Sequence, residues 1–232
     1  MTGTTNRPLL WRRLVAEFLG TGLLVAIVVG SGIMASRLST GDVGLQLLEN
    51  SIATGLGLAV LILVLAPVSG AHFNPVVSIV DLLGRGQRPL DPIAYIGLQV
   101  IGGIGGAILA NAMFGVSTTI VTADRIGLGT ALGEVVATAG LVLVIFGLDR
   151  TGRPGLVAPA VGAYIGAAYW FTSSTSFANP AVTIGRTFSD TFAGVAPTSA
   201  LGFIAAQLVG GAIGLTITTA LFPRTTTRTE HP

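Results

Sequence analysis

The sequence predicts an all-α membrane protein with six transmembrane helices and two re-entrant half-helices, laid out as an inverted 3+3 repeat. Three observations carry that prediction. Of 232 residues, 51% are hydrophobic and only 9% charged, with a mean hydropathy of +0.81, whereas soluble domains carry roughly a quarter charged residues. The apolar residues gather into six segments of membrane-spanning length. An Asn-Pro pair also occurs twice, as Asn74-Pro75 and Asn179-Pro180, each opening an apolar run that stops early.

Each Asn-Pro pair reads as a helix start. Asn74 and Asn179 are good N-cap residues, and Pro75 and Pro180 stand at the first helical position, where the missing N–H costs nothing. The first run ends near Gly84 and the second at about Phe188. At 1.5 Å per residue both rise roughly 13–15 Å, half of a hydrocarbon core of roughly 30 Å. Two such half-helices entering from opposite faces meet cap to cap near the midplane. Each Asn oxygen then caps its own helix and leaves the amide NH₂ free as a donor. Two positive helix ends converge there, a setting that repels cations and binds water-like oxygens.

The spans follow in order. Residues 1–13 are polar and carry Arg7, Arg12 and Arg13, and the first span covers about 14–35 with one carboxylate, Glu17. It is too long for a signal-peptide core and is followed by further spans, so it reads as a retained helix. A loop with Arg37, Asp42 and Glu49 leads to the second span, about 50–66, and then to the first half-helix. The third span covers about 92–116. The fourth, about 129–148, carries Glu134, and the polar break 149–154 precedes the fifth, about 155–171. The second half-helix and a sixth span over about 197–222 complete the series.

Residues 14–116 and 129–222 repeat one another within a single domain, 1–232. Glu17, Thr21 and Leu24 recur with the same spacing as Glu134, Thr138 and Leu141, and Gln99-x-x-Gly102-Gly103-x-x-Gly106 recurs as Gln207-x-x-Gly210-Gly211-x-x-Gly214. Three complete spans per repeat are an odd number, so the second copy is inverted relative to the first. Arginines in short loops set the orientation. One side holds Arg7, Arg12, Arg13, Arg85, Arg88, Arg150, Arg153, Arg224 and Arg228, the other only Arg37, Arg125 and Arg186. Both termini are therefore expected in the cytoplasm.

Several functions are excluded. The chain has no Cys, which removes disulfides and thiolate metal sites, and with only His72 and His231 no metal or other cofactor is expected. The arginines are scattered, so no nucleic-acid partner is expected. An enzyme within the membrane would need a Cys nucleophile, paired catalytic carboxylates or a metal cluster, and none is legible.

At the Asn-Pro pairs the chain resembles the aquaporin family, the major intrinsic proteins, and the resemblance covers all six spans. The signature stands as Asn74-Pro75-Val76 and Asn179-Pro180-Ala181, with Val76 where the family usually has Ala. Those two extra methyl groups either narrow the lumen or repack behind it. The resemblance implies a passive channel for water and small uncharged solutes in the cytoplasmic membrane, assembled as a homotetramer. It also implies a scaffold role for Glu17 and Glu134, which accept backbone N–H groups of the re-entrant loops. Their alternative is proton coupling in a secondary transporter. His72 belongs to the same support, or serves as a titratable gate.

The family's spacing places a four-residue selectivity filter at Thr54, Ala167, Ser176 and Val182, with no aromatic and no charge. Such a filter suits glycerol-like polyols or neutral hydroxides better than water alone. The stretch 178–194 resembles a bacterial branch associated with arsenic resistance, which implies arsenous acid or organic arsenic species as permeants. Arg186 lies four residues after Val182 on one helix face. It supplies the missing pore charge, or it pairs with Asp190 or snorkels to the interface. Tyr164, Tyr169, Trp170 and Phe171 read as interface or packing aromatics. The Gly pairs Gly102/Gly106, Gly162/Gly166 and Gly210/Gly214 read as close helix crossings.

Overall fold

The computed structural model describes residues 7–85 and 90–223. Arg88, Arg224, Arg228 and His231 lie outside them, as does the side chain of Arg85. Eight α-helices follow in order: α1 Leu10–Leu38, α2 Val43–Ser69, α3 Pro75–Arg85, α4 Leu90–Phe114, α5 Leu128–Arg150, α6 Val157–Phe171, α7 Pro180–Arg186 and α8 Pro197–Leu221. Five are long and apolar enough to cross a membrane. The sixth, α6, has 15 residues and rises only about 22 Å. It is lengthened at its start by a 3₁₀ turn, Pro154–Leu156.

Helix α2 starts seven residues before the expected position, and the cause is local. The Asp42 carboxylate accepts from Leu45 N at 2.9 Å, capping the helix. The polar first turns then close over the end of α1, where Ser39 Oγ donates to Glu49 Oε1 at 2.6 Å and Gln46 Nε2 donates to Ser39 O at 2.9 Å. At its other end α2 runs past Pro67 to Gly70, whose φ of 92° only glycine adopts readily.

The two repeats pack alike. Helix α1 lies chiefly on α4, α5 on α8, and α2 joins α6 across the middle. Glycines make these crossings possible. A Cβ on Gly106 would lie 2.0 Å from Gly22 O and one on Gly102 2.4 Å from Phe18 O, while Gly210 and Gly214 hold the matching positions against Val135 O and Ala139 O. Gly55 and Gly162 face each other's carbonyls between α2 and α6, whereas Gly166 is not tightly enclosed. The short helices α3 and α7 sit inside this frame, packed on α4, α8 and each other.

Six crossings place the start of α1 and the end of α8 on one side, here termed proximal. Arg150 Nη1 donates to Phe222 O there, at 2.9 Å, and Arg13 Nη2 pairs with Asp91 at 2.9 Å. On the opposite, distal side, Arg37 donates to Phe114 O. The loop before α5 is clasped to α8 on that side: Thr198 and Ser199 both donate to Asp124, and Ser199 Oγ accepts from Arg125 N and Ile126 N. The two hydroxyls hold the Asp124 carboxyl below its usual range. The clasp is thus present at neutral pH and is lost as pH falls through that depressed value.

The crossings yield a test. Gly106→Ala is expected to destabilise the protein by about 1–3 kcal/mol, because a backbone oxygen cannot yield as a side chain can. Gly105→Ala, which meets nothing within 4 Å, should leave the thermal midpoint in detergent unchanged. Equal midpoints for the two variants would contradict the backbone contact.

Candidate pore and its constriction

The half-helices meet through their caps. Asn179 Oδ1 accepts from Ala181 N at 3.0 Å and Val182 N at 3.2 Å, and Asn74 Oδ1 accepts from Val76 N at 2.9 Å. Each amide nitrogen also reaches across the junction. Asn74 Nδ2 donates to Ala178 O at 2.8 Å and Asn179 Nδ2 donates to Phe73 O at 2.7 Å. The NH₂ groups are therefore not wholly free: one hydrogen of each locks the partner loop, and the other remains available. Phe73 and Ala178, whose carbonyls receive these bonds, hold φ values of 50° and 48°. Non-glycine residues rarely adopt such a conformation, and the surroundings must impose it.

Glu17 and Glu134 impose it. Both are fully buried. Glu17 accepts from His72 N at 3.0 Å, Phe73 N at 2.8 Å, Ser69 Oγ at 2.6 Å and Gln99 Nε2 at 2.7 Å. Glu134 accepts from Phe177 N and Ala178 N, both at 2.8 Å, and from Gln207 Nε2 at 2.6 Å. Each glutamine then donates onward into its half-helix, Gln99 to Ser78 Oγ at 3.0 Å and Gln207 to Thr183 Oγ1 at 2.9 Å. The repeat pattern marked these glutamines without revealing that they pair with the carboxylates. His72 joins the same knot, its Nδ1 3.0 Å from Ser78 Oγ and its Nε2 3.8 Å from Asp81.

One cavity of about 220 Å³ follows the junction, with Asn74 and Asn179 in its wall. Leu24 and Val28 of α1, Leu58 and Ile62 of α2, and their counterparts Leu141 and Ile145 of α5 and Val161 and Ile165 of α6 form an apolar lining. Neither Glu17 nor Glu134 borders it. The proximal mouth holds His72, Asp81, Asp91, Arg7 and Tyr95, and Arg7 and Asp91 pair at 3.1 Å. Val76 is absent from the wall and packs with Val77, Val80, Val142 and Phe146, in space left by Gly211. Its methyl groups repack behind the lumen and do not narrow it.

At the distal end Thr54, Ser176 and Val182 line the cavity, but Ala167 does not. It is exposed on the outer face of α6. The residues of α6 that face inward are Val157, Val161, Ile165 and Tyr169, spaced by four. Counting back from Asn179 crosses the loop after α6, and two residues on a helix amount to about 200°. Tyr169 is thus buried against the cavity and does not face the membrane interface, with its hydroxyl donating to Thr54 Oγ1 at 3.2 Å.

Arg186 also turns inward. It is 3% exposed, borders the cavity, donates through Nε to Ala193 O, and lies 3.4 Å from the centre of the Phe177 ring. Among the described residues no ion pair joins it to Asp190, which is exposed.

The carboxylate knots can be tested by stability. Glu134→Gln puts an NH₂ either against Phe177 N or against Ala178 N and Gln207 Nε2, and in both orientations a buried donor loses its acceptor, at an expected cost of about 1–3 kcal/mol. A thermal midpoint in detergent within error of the unaltered protein would refute the role drawn for Glu134.

Comparison with known proteins agrees with this geometry. Residues 4–176 match the family described as major intrinsic protein (MIP). The aquaglyceroporin AqpS of Rhizobium meliloti (strain 1021) is 50% identical over 209 residues, covering 90% of this chain and 89% of that one. Aquaporin Z of Photorhabdus laumondii is 34% identical over 167 residues, covering 65% and 71%. Among solved structures, the aquaglyceroporin from Plasmodium falciparum superposes with a TM-score of 0.68 over 92% of this chain and 96% of that one, at 22% identity. The chain belongs to the major intrinsic protein family and is a membrane channel, not an enzyme.

Proposed function

We propose that the protein is a passive channel for water and small uncharged solutes, with glycerol-like polyols and arsenous acid or organic arsenic species as candidate permeants. The observation that carries this reading is the lumen past Asn74 and Asn179, with an apolar wall on α1, α2, α5 and α6 and polar groups at the Asn pair and at the two mouths. Neutral solutes cross such a wall by exchanging water for the Asn donors, while ions lose more hydration than the site returns. The 50% identity to an aquaglyceroporin supports the polyol reading.

The filter consists of Thr54, Tyr169, Ser176 and Val182, with Arg186 one turn beyond Val182. Tyr169 restores an aromatic wall and Arg186 restores a cation-repelling charge. Proton exclusion rests on the Asn74 and Asn179 donors and the facing helix ends, which reverse water orientation at the centre. Glu17 and Glu134 act as scaffold. A proton-coupled transporter would need them on the solute route, and they are spent on backbone N–H groups away from it. The chain forms one channel domain over 1–232, sits in the bacterial cytoplasmic membrane with both termini inside, and assembles as a homotetramer.

Stopped-flow light scattering on proteoliposomes tests the channel. Water, glycerol and arsenous acid fluxes should rise linearly with gradient, ignore a proton gradient and carry little proton leak. Saturation at low substrate would favour a transporter. Within that assay Tyr169→Ala should alter the ratio of glycerol to water flux and Ala167→Leu should not, since only Tyr169 borders the cavity. Arg186→Ala should raise monovalent cation leak several-fold. If it leaves solute flux, anion effects and leak all unchanged, Arg186 has no pore role.

A further inference from the structure

We infer that the distal mouth holds an oxyanion site built on Arg186, Ser176 and Thr54, at which a small singly charged oxyanion docks and blocks neutral solute flux. The inference rests on the pore reading above and concerns an occupant that the channel does not carry.

Arg186 uses only part of its capacity. Its Nε is taken by Ala193 O and one face by the Phe177 ring. Among the described residues its one side-chain hydrogen bond is through Nε, which leaves Nη1 and Nη2 without a partner in a residue that is buried and borders the cavity. Their N–H donors are left for an occupant of the lumen, and a guanidinium presents such donors as a planar fork that binds carboxylate, sulfonate or phosphonate oxygens in pairs.

Ser176 provides an independent observation. Its residue is 3% exposed and lines the cavity, while its Oγ is buried and bonded to nothing. A φ of 52° holds it there. Thr54 Oγ1 accepts from Tyr169 and retains its own proton as a donor. No carboxylate among the described residues lines this end, because Asp81 and Asp91 stand at the proximal mouth. Arg125 adds positive potential nearby, donating to Phe192 O beside the Ala193 carbonyl that holds Arg186.

No carboxylate touches these donors from the cavity wall, although Glu134 behind it acts on Arg186 through space, and they complement several negative oxygens better than a polyol, which must also donate. One helical turn from Thr54 and Tyr169 the wall becomes Leu58 and Ile165. An anion that enters would have to shed its remaining water against side chains that return nothing. It therefore stays and obstructs the lumen.

Methanesulfonate is a suitable probe: tetrahedral, always singly charged, and matched in shape by uncharged dimethyl sulfone. One bidentate pair with a hydroxyl supports affinity in the range of about 1–10 mM. Glycerol flux through the unaltered protein should fall by about half in that range, at constant ionic strength against chloride, and dimethyl sulfone should have no such effect. Arg186→Gln should abolish the block, Ser176→Ala should weaken it about fivefold, and Asp190→Asn should keep it.

Phenylglyoxal modification of the unaltered protein, followed by mass spectrometry, gives a second readout that requires neither flux nor a folded variant. Methanesulfonate should slow modification of Arg186 and leave Arg37 unaffected. Absence of glycerol flux with protection of Arg186 would overturn the polyol reading and retain the site. Flux insensitive to methanesulfonate, equal inhibition by the sulfone, or undiminished block in Arg186→Gln would each overturn the site, as would unprotected Arg186.

Discussion

The structure depends on one constraint: backbone N–H groups that enter a membrane without forming a helix must find acceptors inside the protein. Two loops do this here, before Asn74 and before Asn179. Each is answered twice, by a buried glutamate that takes its N–H groups and by the opposite asparagine that takes its carbonyl. Because these bonds are reciprocal across the junction, neither half-helix can settle without the other. The lumen is the space left beside that junction once the loops have been satisfied.

The same constraint explains the division of labour among the polar residues. Glu17 and Glu134 carry acidic side chains at membrane depth, and each is surrounded by donors that occupy its oxygens. Gln99 and Gln207 carry the bond network from carboxylate to half-helix hydroxyl, so the helices α4 and α8 are tied to α3 and α7. Among the polar residues that border the cavity, Asn74 and Asn179 each keep a second amide hydrogen, Thr54 keeps its hydroxyl proton, and Arg186 keeps its Nη donors.

The two copies of the repeat are alike where they support the backbone and differ where they meet the solute. Val76 in place of a smaller residue is absorbed by Gly211, whose missing side chain leaves room for it. On the distal side Val182 leaves the cavity wall apolar at its position, and Arg186 borders the cavity one helical turn later, held by Phe177 and Ala193 O. A charge displaced along a half-helix keeps its direction toward the lumen because a four-residue step nearly completes a turn.

The spans, the half-helices and the paired glutamates were legible in the sequence, because each rests on a local rule: apolar length against bilayer thickness, Asn-Pro as a capped start, and spacing repeated between halves. The inward turn of Arg186 was legible only as one of two readings, since helical spacing puts Val182 and Arg186 on one face without saying what that face meets. Ala167 and Tyr169 could not be assigned by counting, because the count runs through a loop whose length no helix geometry fixes. The reciprocal Asn bonds and the glutamine–glutamate pairs belong wholly to the tertiary structure. They join residues 73 or more positions apart, and only the packing of one repeat against the other brings their atoms within reach.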